Sequence, residues 1–272
     1  MKKFKRIPLL INLMKHNLSV TLILVGLFLL SQLVGMLITK EYLVKELPYG
    51  LERPEIEKET SFVYIFVFII IATVIIFVLA RLKMFRVWQI WFFIGVLMTL
   101  SISFSAFINS FIAFVLALVI AIIKVSRKSI IIHNLSEIFI YGALAAIFVP
   151  ILNVFSAIML LIIISIYDFI AVRKTKHMIK LAEFQKKSKL FAGFLIPYKK
   201  DVAILGGGDA AFPLLFSGVL LVEFGLIAFI VPFFASLALL ILFLIAKKKK
   251  YYPAMPFLTI GCFAGYLVLL LL

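Results

Sequence analysis

Three carboxylic acids lie within or at the edge of long apolar stretches of the chain: Asp168, Asp209 and Glu223. Only 12 of the 272 residues are Asp or Glu, and most of the others fall between those stretches. A carboxylate near the centre of a bilayer costs roughly 3 kcal/mol, so an acid kept there usually serves a function. Glu223 is near the external end of its stretch and is expected to be an interfacial anchor. Asp168 and Asp209 are therefore the informative pair.

Two consecutive antiparallel helices would bring Asp168 and Asp209 face to face. At about 1.5 Å per residue, the two acids lie about 6 and 10 Å from the same membrane face. Two carboxyl groups that share a site cannot both ionise easily, so one proton is held between them. The ionised partner can deprotonate a water while the protonated partner hydrogen-bonds a peptide carbonyl, as in aspartic proteases. Burial alone fits a proton relay or a structural acid pair equally well.

The neighbouring residues favour irregular backbone around Asp209. Three glycines, Gly206, Gly207 and Gly208, precede Asp209 and are costly in a helix interior. Pro213 removes the helical donor to the Asp209 carbonyl. Irregular backbone at membrane depth survives only where protein or a wet cavity surrounds it. A third irregular element is Pro253, Ala254, Met255 and Pro256, at the same membrane face as the two aspartates.

The composition places these residues in a membrane protein. The chain is 65% hydrophobic, with 29 Phe and only 15% charged residues, whereas a soluble domain carries about 25% charge. Continuous apolar runs long enough to cross a roughly 30 Å core exclude a soluble enzyme and an alternating outer-membrane barrel. We predict an all-α polytopic membrane protein with nine transmembrane helices at 18–39, 61–80, 87–105, 107–124, 135–151, 153–172, 202–222, 224–246 and 253–272.

The basic residues predict the orientation of these spans. With a cytoplasmic N-terminus and an external C-terminus, 24 of the 28 Lys and Arg residues fall on the cytoplasmic side, as the positive-inside rule requires. The net charge of +16 is thereby explained without nucleic acid as a partner. The single cysteine, Cys262, permits neither an internal disulfide nor a multi-cysteine zinc site. We expect a multi-pass protein of the cell membrane.

We predict two regions in the chain. Residues 1–152 would form an N-terminal scaffold of five helices, and residues 153–272 a catalytic region of four helices. The cytoplasmic loop 173–201 mixes apolar and basic residues, which predicts an amphipathic helix at the lipid headgroups. A solvated basic linker near anionic lipid is the alternative.

Three motifs in this order resemble those of the presenilin and signal peptide peptidase family of intramembrane aspartyl proteases, its archaeal members in particular. They are Tyr167-Asp168, the Gly-x-Gly-Asp element from Gly206 to Asp209, and a Pro-Ala-Leu-like element from Pro253 to Met255. The similarity is strong over residues 160–272, while the first five spans match in number and placement. Met255 stands where the family usually has Leu, a residue of similar volume.

The resemblance implies that Asp168 and Asp209 are a catalytic dyad that activates water to hydrolyse peptide bonds within transmembrane helices. Residues expected to shape the active site or bind substrate are Tyr167, Gly206, Gly207, Gly208, Pro253, Ala254, Met255 and Pro256. Strand addition to the segment from Pro253 to Pro256 would suit an unwound substrate. The implied substrates are single-span membrane proteins or signal and remnant peptides. Membrane lipid is the other expected partner, and no metal or cofactor is expected.

Two further functions stay open on the residues themselves. A proton-coupled carrier could use the same two acids as a relay, and a noncatalytic scaffold could bind helices without cleaving them. Prepilin-type peptidases share Gly-x-Gly-Asp, but the span count and the Pro253 element disfavour them. The motif Gly261-x-x-x-Gly265 suits helix packing, and its use in a homo-oligomer is an alternative.

Overall fold

The computed structural model describes residues 18–127, 129–174, 184, 190–198, 201–246 and 252–272. Most of these residues are helical, because a backbone in lipid must satisfy its hydrogen bonds internally. Three short 3-10 turns, Pro48–Gly50, Val149–Ile151 and Gly225–Phe229, interrupt the helices. The α-helices are α1 (Leu18–Tyr42), α2 (Ser61–Arg81), α3 (Phe85–Ser105), α4 (Ser110–Ser126), α5 (Ile130–Phe148), α6 (Val154–Arg173), α7 (Gly207–Phe224), α8 (Ile230–Ile245) and α9 (Met255–Leu271).

Six helical segments in the described ranges are long and apolar enough to cross a membrane. One of them, Gly207–Ile245, has 39 residues and contains both α7 and α8, which the turn Gly225–Phe229 separates. Helices α4 and α9 are apolar but have 17 residues each. The prediction of a helical, multi-pass membrane protein is confirmed. The nine-span count and the orientation of the termini stay predictions.

Two predicted helix breaks coincide with capping residues. Asn109 separates α3 from α4, and its side chain accepts a hydrogen bond from the Phe111 amide at 2.9 Å. Asn153 begins α6 in the same way, accepting from the Ser156 amide at 2.8 Å. Pro150 lies in the 3-10 turn just before it. The caps satisfy amides that a helix start leaves without partners.

The fifth span is predicted to start at residue 135, and the helix that contains it starts five residues earlier. Helix α5 begins at Ile130, where the Ser129 hydroxyl caps the Ile132 amide. The polar residues His133, Asn134 and Glu137 lower the mean hydropathy at the start of this helix, so hydropathy places the start too late. The structure buries Asn134 and Glu137 within hydrogen-bonding distance of protein partners, so their polarity does not end the helix.

A β-hairpin replaces the predicted start of the seventh span and corrects the all-α prediction. Strands β1 (Gly193–Tyr198) and β2 (Asp201–Gly206) pair antiparallel, from Gly193 opposite Gly206 to Tyr198 opposite Asp201. Residues 202–206 are therefore strand, and α7 begins only at Gly207. The amphipathic helix predicted within 173–201 lies mostly outside the described residues, and its part at 193–198 is strand.

Helix α7 is the centre of the bundle. Ten of its 18 residues are buried, and Leu214, Phe216 and Leu220 are among the largest side chains with no exposed surface or almost none. They belong to one hydrophobic cluster with residues of α1, α5, α6, α8 and α9, so both predicted regions contribute to it. Helix α2 lies at the periphery, with only Ser61, Ile65 and Leu79 buried.

The glycine motif of α9 packs inside the chain, against α8. A Cβ at Gly261 would lie 2.7 Å from the Phe234 carbonyl oxygen, and one at Gly265 would lie 2.9 Å from Val231 Cα. The helices can approach this closely only because both side chains are absent. This intramolecular contact occupies the glycine face of α9, and a homo-oligomer stays a prediction that does not rest on this motif.

We expect Gly261→Ala to destabilise the protein by about 1–3 kcal/mol, because the added methyl group would meet backbone that cannot move aside. Gly95→Ala in α3 is the matched control, since a Cβ there has no neighbour within 4 Å. Thermal unfolding in detergent should give a lower midpoint for Gly261→Ala alone. Equal midpoints for the two variants would contradict the close packing of α8 and α9.

Candidate active site

Asp168 lies on α6, five residues before the helix ends at Arg173. Its side chain is half-buried. The carboxylate oxygen Oδ2 accepts a hydrogen bond from the Met255 amide at 3.1 Å, and the Ala254 backbone also bonds the carboxyl group. Backbone amides are strong partners for a carboxylate. Asp168 is thereby tied to the start of α9.

The segment from Pro253 to Pro256 is shaped to provide these donors. A helix start leaves its first amides without intrahelical partners. Both prolines lack an N–H, and Pro256 occupies a position near the helix start where this costs little. The free amides of Ala254 and Met255 are left to reach Asp168. Met255 itself is buried, with 2% of its surface exposed.

Asp209 is the third residue of α7, directly after the hairpin. Its Oδ2 lies 3.1 Å from the point where a Cβ of Gly206 would be, and the Gly206 backbone bonds the carboxyl group. The following carbonyl, that of Ala210, accepts a hydrogen bond from Gln32 of α1 at 2.8 Å. The glycines therefore allow close approach at a strand-to-helix junction, and α7 continues through Pro213.

The structure brings the two predicted acids together. The carboxyl groups of Asp168 and Asp209 are close enough to interact electrostatically. One helical turn from Asp168, the Ser165 hydroxyl is 2.6 Å from the Thr259 hydroxyl, which joins α6 to α9. The arrangement supplies two carboxyl groups, each hydrogen-bonded to backbone, at one end of the bundle. Such a pair can activate water and polarise a carbonyl.

The other predicted site residues lie at different distances from the acids. The Tyr167 ring packs edge-on against Phe66 of α2 at 6.1 Å. It also lines an apolar cavity of about 320 Å³ with Ile70, Thr73, Val74 and Phe77. Gly207 would place a Cβ 3.3 Å from the Tyr141 hydroxyl, whereas Gly208 is exposed. Tyr167 therefore faces α2, and the glycines belong to the Asp209 side of the site.

Glu137 and Lys124 are residues of this neighbourhood that the sequence did not identify. From the sequence alone, Lys124 is one of the 24 basic residues on the predicted cytoplasmic side, and Glu137 is not among the three acids singled out above. Both side chains are buried, and Lys124 Nζ is 2.6 Å from Glu137 Oε1. The available signal was the helical spacing of Glu137 and Tyr141, which puts both on one face of α5.

No metal site accompanies the acids in the described ranges, where no group of three or more His, Cys, Asp or Glu side chains is arranged to hold an ion. The single cysteine is buried in α9.

Comparison with known proteins identifies the family of this chain. The model of the family described as signal-peptide peptidase, presenilin aspartyl protease matches residues 25–272. Two solved structures of a presenilin family intramembrane aspartate protease share the fold. The one in space group C222 has a TM-score of 0.66 at 19% identity, covering 91% of this chain and 97% of the other. The one in space group P2 has a TM-score of 0.64 at 20% identity, with coverages of 93% and 97%. No curated protein matches.

A helical membrane bundle with paired carboxyl groups fits the class of intramembrane aspartic proteases. Because the family model covers nearly the whole sequence, the chain belongs to the signal peptide peptidase and presenilin family of aspartyl proteases. It is thus an intramembrane aspartic endopeptidase. The predicted membership of the presenilin and signal peptide peptidase family is confirmed.

The Ser165–Thr259 contact should couple the helix of Asp168 to the helix that supplies its amide donors. We expect Ser165→Ala and Thr259→Val to be non-additive, with a coupling energy of about 0.5–1.5 kcal/mol in a double-mutant cycle of unfolding free energies. Substrate cleavage by the single variants should fall in parallel. Strict additivity would show that the contact does not hold α6 against α9.

Proposed function

We propose that Asp168 and Asp209 are the catalytic dyad of this protease. The observation that carries the proposal is that two acids from different helices lie within electrostatic range of each other, each with a backbone hydrogen bond to its carboxyl group. In the reaction, the ionised carboxylate takes a proton from water as the water attacks the scissile carbonyl carbon. The protonated carboxyl group donates a hydrogen bond to the carbonyl oxygen, and the proton ends on the leaving amine.

The substrate is proposed to bind as an extended segment beside the dyad. A transmembrane helix hides its peptide bonds, so the cleaved stretch must unwind. Helix α5 holds β1 through Asn134, whose side chain makes hydrogen bonds of 2.8 and 2.9 Å with the Leu195 backbone. The edge of β2 and the segment from Pro253 to Pro256 are then the places where an extended peptide can add. Expected substrates are single-span membrane proteins or signal and remnant peptides.

We propose that substrate enters from lipid between α2 and α6. Helix α2 buries few of its residues, and the apolar cavity between these helices borders Tyr167, the neighbour of Asp168. A weakly packed helix can move with less loss of contact area than a central one. By the same reasoning, the central helix α7 stays in place when α2 moves.

The finer topology is also a proposal. Nine spans with a cytoplasmic N-terminus and an external C-terminus agree with the distribution of basic residues. In this arrangement both acids lie toward the cytoplasmic face of the cell membrane, and lipid surrounds the bundle. Residues 1–152 act chiefly as scaffold, and residues 153–272 supply the catalytic groups.

Substitution of either acid should abolish cleavage. We expect Asp168→Asn and Asp209→Asn each to lower kcat for a single-span substrate by at least about 1,000-fold, since an amide can neither accept the proton of water nor donate a carboxylic proton. The matched control is Glu223→Gln, an exposed acid near the other end of α7. It should cleave at the parent rate. Products are mapped by mass in detergent.

If folded Asp168→Asn and Asp209→Asn variants cleave at the parent rate, the proposed catalytic dyad is contradicted. The two alternative functions have their own signatures. A proton-coupled carrier would show pH-driven uptake in proteoliposomes and no peptide products. A helix-binding scaffold would capture substrate without products and would be insensitive to either substitution.

Cysteine labelling tests the orientation. Val44, 86% exposed after α1, should lie outside, and Leu82, 61% exposed between α2 and α3, should lie inside. We expect a membrane-impermeant maleimide on intact cells to label Val44→Cys but not Leu82→Cys. Cys262 has no exposed surface and gives little background. The opposite labelling pattern would invert the topology.

A further inference from the structure

The proposed mechanism leaves one buried ion pair unused. Glu137 of α5 is 1% exposed, and Lys124 of α4 is 6% exposed. Lys124 Nζ donates to Glu137 Oε1 at 2.6 Å and to the Ser136 hydroxyl at 2.6 Å. Desolvating two charges offsets much of their attraction, so a gain in fold stability is a weak explanation for the pair.

The second oxygen of Glu137 reaches the hairpin. Oε2 accepts a hydrogen bond from the Tyr141 hydroxyl at 2.5 Å and another from the Gly193 amide at 3.1 Å. On the same helix, His133 Nε2 donates to the Gly193 carbonyl at 2.7 Å. Gly193 is therefore held through both of its backbone polar groups. The Tyr141 ring also packs against Phe194, with ring centroids 5.8 Å apart.

Gly193 is directly connected to the Asp209 side of the site. It pairs with Gly206 in the hairpin, and the neighbouring Gly207 amide donates to the Ala192 carbonyl at 3.1 Å. Gly193 has φ +139°, and a Cβ there would collide with the Leu205 carbonyl oxygen. Glu137 thus holds backbone that lies beside Gly206 and Gly207. Asp209 follows these two residues in the first turn of α7.

We propose that Lys124, Glu137 and Tyr141 are positioning residues for Asp209. Through Gly193 and its pairing with Gly206, they hold the start of α7 where Asp209 meets Asp168. Lys124 supplies the countercharge that keeps the Glu137 carboxylate in place, and Tyr141 fixes the orientation of its second oxygen. This inference rests on the proposed function, because it takes Asp209 as a reacting group.

Two charge-neutral double variants isolate the contact to Gly193. In Lys124→Met with Glu137→Gln, the glutamine keeps an oxygen that can accept from the Gly193 amide. In Lys124→Met with Glu137→Leu, that acceptor is gone while a similar volume remains. We expect the leucine variant to have a kcat about 100-fold below that of the glutamine variant, because small misplacements of a reacting group cost about this much. Its KM for a single-span substrate should stay within about twofold.

Tyr141→Phe is the milder variant, because it keeps the ring on Phe194 and removes only the hydroxyl. We expect its kcat to fall about tenfold, again with little change in KM. All variants are assayed as the full chain in proteoliposomes, with thermal midpoints measured alongside. A role confined to stability would change the folded fraction and leave kcat per folded molecule alike in the glutamine and leucine variants.

Folded glutamine and leucine variants with equal kcat would overturn the positioning role. If the leucine variant does not fold, a parent-like kcat for Tyr141→Phe overturns it instead. Asp209→Asn is measured in parallel to separate the two claims. Cleavage by Asp209→Asn would overturn the proposed function itself, whereas an inactive Asp209→Asn beside an unaffected leucine variant would overturn only this inference.

Discussion

A carboxylate can lie at membrane depth only where the protein supplies hydrogen-bond donors, and irregular backbone there needs acceptors. The two requirements meet at three places in the described part of the chain. Asp168 accepts from the start of α9, Asp209 bonds Gly206 at the start of α7, and Glu137 accepts from Gly193 at the start of β1. Each of these three acids thus accepts hydrogen bonds from backbone that lies outside a regular helix interior.

These hydrogen bonds between acids and backbone explain the arrangement of the bundle around α7. The helix is buried along most of its length, so its first turn has a fixed position relative to the other helices. Helix α6 brings Asp168 to that turn, and the two prolines of the α9 segment keep its amides free for Asp168. Helix α2, by contrast, has only three buried residues and packs mainly beside α6. The fold combines a closely packed side, which holds both aspartates, with a loosely packed neighbour.

The sequence predicted the helical membrane class, both aspartates and the Pro253 element, because charge and proline are rare enough in apolar spans to stand out. It did not predict the hairpin. Val202 to Leu205 continue into the apolar run of α7, and hydropathy weighs an apolar strand and an apolar helix alike. The missed signal was two six-residue runs, bounded by Gly193 and Gly206 and joined by Lys199 and Lys200. The ion pair of Glu137 was missed because Lys124 lies on another helix, and pairing between helices is not visible in a linear pattern.

The claim that Asp168 and Asp209 act jointly on one reacting centre is tested most directly by a structure with a peptide whose scissile bond is replaced by a hydroxyethylene group. We predict that the hydroxyl oxygen lies within about 3 Å of a carboxyl oxygen from each aspartate. The flanking peptide should be extended beside β2 and the segment from Pro253 to Pro256. A hydroxyl bound to one aspartate alone, or bound elsewhere in the bundle, would contradict the claim.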